Sequence, residues 1–402
     1  TDSLDSRISV RITNARSERI RNMTTVNKKD PVFVVVQLSG GCDFMNTLVP
    51  YTNSIYYDNR TFLGIPQDQV LPLNDTLGWH PEMAPFKELY DKGMVSVVQG
   101  IGYPDSNRSH FRGMDIWHTC EPDEVSTVGW LGRTIQELDP QGENPLTGVS
   151  FGVGLPRAMS KAGVPVTSVS NLDEYGLMSG ISARDQRDQA LQIFKDMYGQ
   201  AIGTGPVMEY LSRTGRDVLS GADMIKVAPQ QYQSTVEYAD SPIAKSLRDV
   251  ARVHTADLGT RIFYTQQGGY DTHANQLPTQ PGLFRDLSRA VNDFFADLAE
   301  HDADDNVVML IFTEFGRRIA DNGSGTDHGS GGGAYIVGKP IAGGLYSEYP
   351  SLERERWAKG EDLEHTIDFR GIYGTILEQW LGLDANPIVN GSYEQINPFK
   401  SN

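Results

Sequence analysis

Asn306–Val337 reads NVVMLIFTEFGRRIADNGSGTDHGSGGGAYIV, and this stretch decides the fold. An apolar run from Val307 to Phe312 stops abruptly at Thr313-Glu314. A glycine-rich loop carrying Asp327-His328-Gly329 follows, and then a second apolar run, Ala334 to Val337. A continuous aliphatic run whose first polar side chains stand at its carboxyl end is the pattern of a strand buried on both faces, as in a parallel sheet. In open α/β sheets ligands bind beyond those strand ends. Glu314 and His328 therefore mark the place to look for chemistry.

The pattern recurs along the chain. Val32–Leu38 (VFVVVQL) ends in Ser39-Gly40-Gly41-Cys42-Asp43, where the glycines let the backbone turn tightly. Met94–Gln99 leads through Gly100–Pro104 into Asp105–Phe111, with Ser109 at the start of a helix over 112–118. Arg261–Gln266 ends in Gly268-Gly269-Tyr270-Asp271-Thr272-His273, and residues 145–175 are strand-like and turn-rich. Helical spacing covers 83–92, 130–138, 283–301 and 369–381. It also covers a block at 183–259 (helices over 185–198, 206–219 and 242–258) that is either a cap or the outer layer of the sheet. Residues 50–81 read as surface loops, and residues 1–30 as a polar N-terminal arm. Strands alternating with helices imply an α/β fold: a doubly wound, mainly parallel sheet flanked by helices, in one domain over 31–402, with 183–259 as a helical insertion.

The 402-residue chain has 39% hydrophobic and 22% charged residues, ordinary for a globular protein. No apolar run approaches the ~20 residues of a membrane span. A net charge of −17 argues against nucleic acid as a stable partner, which would need a basic footprint. An anionic substrate would then need local positive charge, most economically a bound metal. Two cysteines, Cys42 and Cys120, allow one disulfide and no Cys-only metal site. The stretch before Met23 is polar and is no signal peptide. If translation starts at Met23, the protein is cytoplasmic.

In a parallel sheet the ends carrying Asp43, Ser109-His110, Asp271 with His273, and Glu314 all lie on one edge, with Asp327-His328 in the loop beyond. Carboxylates and imidazoles together suit a divalent cation such as Zn²⁺ or Mn²⁺. A hydroxyl among them, Ser109, suits a nucleophile, because a metal lowers its pKa. Each residue has a plainer role: Asp43 as a turn residue, Ser109 as a helix cap, Glu314 in an ion pair with Arg317 or Arg318. Such accidents would scatter over both sheet edges, whereas these residues gather at one.

FVVVQLSGGCDFMNTLVPY, NRSHFRGMDIWHT, GGYDTH, FTEFGRR, GTDHGSGG and TIDFR resemble the ordered blocks of the DUF1501 family. That is a bacterial family of unknown function, often exported by the twin-arginine route, and the resemblance runs from about Pro31 to Leu383. The family in turn resembles the alkaline phosphatase and sulfatase superfamily in fold and metal-ligand order. The resemblance implies Asp43 as a metal-binding aspartate, Ser109 as nucleophile, and Asp271, His273 and His328 as ligands. Glu314 stands where an Asp-His pair is usual, and Phe315 replaces its histidine, so the resemblance implies one metal or two. It also implies export to the periplasm or beyond.

The expected function is thus metal-dependent hydrolysis of phosphate mono- or diesters on a small-molecule or polymer substrate. Asp43, Asp271, His273, Glu314, Asp327 and His328 would be the metal residues. Ser109 would attack, and His110 or Arg108 would neutralise the transferred group. The alternative is a non-catalytic binding or assembly protein that keeps the hydrolase fold. Formylglycine sulfatase chemistry is excluded, because no Cys or Ser followed by x-Pro-x-Arg occurs around Ser109, Cys42 or Cys120. Gly329–Gly333 precedes a strand rather than a helix and is no dinucleotide fingerprint.

Overall fold

The computed structural model describes residues 29–173, 184–199 and 205–401. The arm expected over 1–30 lies outside the described residues up to residue 28, as do parts of the 183–259 block. Pro31–Asn402 forms one compact unit.

Strand β1 (Val32–Leu38) is buried along its whole length, and it feeds two cores by alternation. Val32, Val34, Val36 and Leu38 pack on one face, Phe33 and Val35 on the other. Both faces are covered, which is why its sequence shows no polar alternation. The other strands of the sheet are β2 (Val95–Gly102), β3 (Gly148–Phe151), β4 (Thr167–Val169), β5 (Ile262–Gln267), β6 (Val307–Phe312), β7 (Gly332–Val337), β8 (Gly344–Tyr346) and β9 (Ile367–Asp368). Their order is β8-β2-β7-β6-β1-β5-β3-β4, with β9 beside β2.

The second apolar run of the decisive stretch, within β7, departs from the parallel expectation. It pairs antiparallel with both β6 and β2. No helix intervenes between β6 and β7, so the chain returns without a crossover and antiparallel pairing results. Two antiparallel steps restore direction: β2 points the same way as β6, and β6 and β5 are both parallel to β1. The carboxyl ends of β1, β2, β5 and β6 therefore share one edge of a mixed, mostly parallel sheet.

The longer α-helices are α1 (Ala84–Asp91), α2 (His110–Thr119), α3 (Trp130–Leu138), α4 (Arg184–Gly199), α5 (Pro206–Ile225), α6 (Pro242–Thr255), α7 (Gln276–Glu300) and α8 (Phe369–Thr375). Apolar residues of α1, α6 and α7 cover one face of the sheet, and those of α2, α3 and α8 the other. Of the 183–259 block, α6 belongs to the outer layer, while α4 and α5 pack on each other. Among the described residues no helix is long and apolar enough to cross a membrane. Cys42 and Cys120 are both buried and free, so the disulfide they allowed is not formed; burial pushes each thiol up to about 12.

Helix α7 begins at Gln276, well before the expected Leu283, and runs through Pro281. QLPTQPG reads as a loop because Pro281 removes a helical hydrogen bond. Tertiary contacts override that reading. Gln276 donates from Nε2 to Asp43 (2.6 Å) and accepts from the Thr326 hydroxyl (2.7 Å), and Gln280 donates to Thr272 (2.9 Å).

Asp43, expected as a metal ligand, is engaged in this framework instead. It is buried, and the fully buried Arg60 holds it through both oxygens at 2.5 and 3.0 Å. Arg60 also donates to the carbonyls of Ile319 (2.6 Å) and Arg318 (2.8 Å). The pair clamps the turn after β1 to the turn after β6. Removing one charge from such a pair leaves the other buried and uncompensated. Asp43→Asn is expected to destabilise the protein by about 3–5 kcal/mol, read as a lower urea midpoint at unchanged slope; a shift within error would show that the pair does not bear on stability.

Candidate metal centre

Three loops beyond the shared sheet edge converge because glycine lets their backbones touch. Gly40 has φ +122°, and a Cβ there would stand 2.3 Å from the amide nitrogen of Asp271. A Cβ on Gly325 would stand 2.1 Å from the carbonyl oxygen of Thr272. The glycine-rich loop after β6 is thus packed against the loop after β5. That contact puts Asp327 and His328 beside Asp271 and His273.

His110, Asp271 and His328 form a group whose ligand atoms all lie within 4.8 Å of one another. Asp271 Oδ2 is 3.2 Å from His110 Nε2, and Oδ1 is 3.0 Å from His328 Nε2 and 3.1 Å from His273 Nε2. The Nε2 atoms of His273 and His328 are 2.9 Å apart. His110 Nε2 is buried without an aligned hydrogen-bond partner.

The outward nitrogens decide the protonation pattern. His110 Nδ1 faces Glu314 Oε1 at 2.8 Å, His273 Nδ1 faces Asp327 Oδ1 at 2.9 Å, and His328 Nδ1 faces the Arg108 carbonyl at 2.7 Å. A carboxylate or carbonyl only accepts, so each Nδ1 must donate. In the neutral rings every Nε2 is then a lone pair. Three such nitrogens and a carboxylate meet, and beside them stands one donor, Arg317 Nη2, 2.8 Å from Asp271 Oδ1. An added proton satisfies one of these contacts; a cation satisfies all of them. Metal-binding histidines characteristically donate their second nitrogen to a carboxylate or carbonyl, and an N/O donor set of this kind suits Zn²⁺ or a similar ion. The residues fit a divalent metal.

The acids beside the imidazoles are held ionised. Burial works against the charge on Asp271, but the hydrogen bond from Arg317 and the contact with His328 outweigh it and hold the carboxyl well below its usual range. Asp327 is lowered chiefly by its hydrogen bond with His273. His110 is raised, first by its hydrogen bond with Glu314, against the effect of burial.

The structure places the expected residues in different surroundings. Asp271, His273 and His328 come together, and His110, expected to touch the transferred group, joins them. Glu314 and Asp327 stand one layer out, orienting His110 and His273; Glu314 is fixed in turn by the Gly40 amide (2.9 Å) and the Thr313 hydroxyl (3.0 Å). Asp43 does not reach the group. The Arg108 guanidinium is engaged by Asp362 (2.7 Å) and Glu361 (3.3 Å), so only its carbonyl meets the cluster. Ser109 is exposed at the N-cap of α2, and its hydroxyl does not cap the helix. Among the described residues no contact joins that hydroxyl to the cluster.

Arg317, Arg60 and Phe315 complete the site without having been assigned to it. Phe315 is buried between two imidazoles, its ring centroid 4.9 Å from that of His110 and 4.8 Å from that of His328. No spacing in the sequence singles out Arg60, which lies in a stretch read as surface loop. Arg317 was legible as an ion-pair partner but paired on paper with Glu314 instead of Asp271.

Comparison with solved structures returns members of the alkaline phosphatase superfamily at low similarity. A superfamily protein from Vibrio parahaemolyticus is 12% identical with a TM-score of 0.41, over 90% of this chain and 69% of that one. A lipoteichoic acid synthase from Listeria monocytogenes is 8% identical with a TM-score of 0.38, over 90% and 74%. An alkaline phosphatase from the Antarctic bacterium TAB5 is 11% identical with a TM-score of 0.31, over 79% and 95%. No curated protein matches the chain. Residues 99–390 match the family described as "Protein of unknown function (DUF1501)", and the chain belongs to that family.

Proposed function

We propose that this chain is a metal-dependent hydrolase of phosphate mono- or diesters, working with one divalent cation, Zn²⁺ or Mn²⁺. One observation carries the reading: the three imidazoles turn Nδ1 to carboxylate or carbonyl acceptors and Nε2 toward the Asp271 carboxylate, with His110, Asp271 and His328 grouped within 4.8 Å and His273 Nε2 2.9 Å from that of His328. Asp271, His273, His328 and His110 would hold the ion. When bound, it would polarise a phosphoryl oxygen and make a hydroxyl or water a competent nucleophile at neutral pH.

The chain's own residues supply the rest. Glu314 and Asp327 set the tautomers of His110 and His273, and Arg317 keeps Asp271 ionised. The cavity that His110, Asp271 and Glu314 share admits the ester. Ser109 is the candidate nucleophile: it is next to His110, exposed, and not committed to capping α2, whose free N-terminal amides favour a bound anion. A non-catalytic binding protein is the second reading, supported by the lack of a base in contact with the Ser109 hydroxyl among the described residues.

Protein purified without a metal column is expected to hold about one transition-metal ion per chain and to release phenolate from p-nitrophenyl phosphate or its bis-ester. A chelator should abolish that activity and Zn²⁺ or Mn²⁺ restore it. An ion-free protein whose activity ignores chelators ends the proposal; an ion-bound protein inactive on every ester, with Ser109→Ala indistinguishable from it, favours the binding reading. His328→Ala should lose the ion, Glu314→Gln should bind it about 10–100-fold more weakly, and Asp43→Asn should retain it. Retention by His328→Ala would contradict the ligand assignment. The nitrogens must be unprotonated to bind, so affinity should fall as pH falls. With His110 raised by Glu314, the decline should begin above the ordinary histidine value of about 6.5; titration of metal affinity against pH tests this.

A further inference from the structure

The cavity beside the cluster continues past it, and its far part carries a charge that the hydrolase reading leaves unused. It has a volume of about 800 Å³ and follows one face of α2, where His110, Phe111, Met114, Asp115 and His118 line it. At a rise of ~1.5 Å per residue, Asp115 lies roughly 7.5 Å along the helix axis from His110.

The buried Asp115 carboxylate bridges two guanidinium groups, Arg112 through Oδ2 and Arg157 through Oδ1. Arg112 is fully engaged, since its Nη2 also donates to the carbonyls of Glu121 (2.9 Å), Pro122 (2.8 Å) and Glu124 (2.8 Å). Arg157 is different. It is 46% exposed, it lines the cavity, and Nη1 makes its one ion pair among the described residues. Its Nε and Nη2 donors remain available. Two guanidiniums meet one carboxylate here, and the neighbouring His118 hydrogen-bonds to Gln37 (2.9 Å) and Tyr264 (3.1 Å). In a chain of net charge −17 a guanidinium that faces a cavity and is held by a single carboxylate contact among the described residues is a specific feature. Apolar side chains contribute to the lining as well: Phe111 is 93% exposed and Val125 74% exposed, and both line the cavity.

We propose that the ester hydrolysed here carries a second oxyanion, a carboxylate, sulfate or phosphate, about one and a half turns of α2 from the scissile phosphoryl group, and that Arg157 binds it. The inference rests on the hydrolase reading for the phosphoryl end alone. Arg157 is a specificity residue: it offers paired donors in the fork geometry that matches an oxyanion and takes no part in bond breaking.

The test compares two probes that differ at one terminus, glucitol 6-phosphate and 6-phosphogluconate, with the metal-loaded protein. Phosphate release is expected to favour the gluconate by roughly ten- to hundredfold in kcat/KM, the value of a charge-assisted hydrogen bond, with the difference in KM. Arg157→Gln, which keeps a donor for Asp115, should bring the ratio near one, and Arg157→Lys should restore part of it. Calorimetric binding of both probes to the same three proteins, with melting curves to verify folding, separates the two claims. If neither probe is hydrolysed but the gluconate binds more tightly and Arg157→Gln removes the difference, the hydrolase reading fails and the oxyanion subsite stands. Equal handling of the probes by the wild type, or a preference unchanged in Arg157→Gln, overturns the inference.

Discussion

The site depends on one buried guanidinium. Arg317 has no solvent exposure, and it donates to the carbonyls of Gly41 (2.7 Å), Thr326 (2.8 Å), Tyr270 (3.0 Å) and Gly40 as well as to Asp271 (2.8 Å). Those carbonyls belong to the loops after β1, β5 and β6, the same loops that bring the cluster together. A cation cannot be buried without compensation, so the loops must present their carbonyls and one carboxylate to it. The geometry of Asp271 follows from that demand: one oxygen faces Arg317, and the carboxylate is left oriented toward the three imidazoles. Loops normally avoid burial because their backbone groups go unsatisfied; here Arg317 satisfies four of them at once.

Carboxylates of the same type have entirely different duties within this short distance. Asp43 neutralises Arg60, Asp271 faces the imidazole nitrogens, and Glu314 and Asp327 orient rings from behind. The difference lies in what each carboxylate meets in space. Glu314 lies between the Gly40 amide, the Thr313 hydroxyl and His110 Nδ1. Those three donors occupy three of its roughly four lone-pair sites, so its main partners are protein groups. Separating ligands from orienting groups therefore requires the partner of every nitrogen, which one-dimensional spacing does not carry.

That is also why the fold was more legible in the chain than the site. Runs such as Val32–Leu38 and Val307–Phe312 identify themselves because strands covered on both faces need continuous apolar sequence, and the polar residues at their ends point to one edge whichever way β7 runs. Asp271, His273 and His328 were legible on the same ground. Arg60 and Gln276 were not: each acts across a large sequence separation, Arg60 from a stretch rich in turn residues and Gln276 from a segment whose prolines argue against a helix. The role of His110 was obscured by Ser109 and Arg108 beside it. The α2 backbone sends these three neighbours in different directions, one into the cluster, one to solvent and one to Asp362.

Phe315 sets an apolar boundary to the cluster. Its ring packs against His110 and His328, and the backbone is shaped to admit it. A Cβ on Gly41 would stand 2.6 Å from the ring, and one on Gly113 3.2 Å from it. A hydrocarbon ring offers no ligand, so no second ion can be held from this position. It covers part of the His110 and His328 rings with hydrocarbon. On the proposed reading the imidazoles and Asp271 therefore hold a single cation. In that setting the phosphoryl charge is met by one ion, and a distant second charge on the ester needs a recognition element of its own.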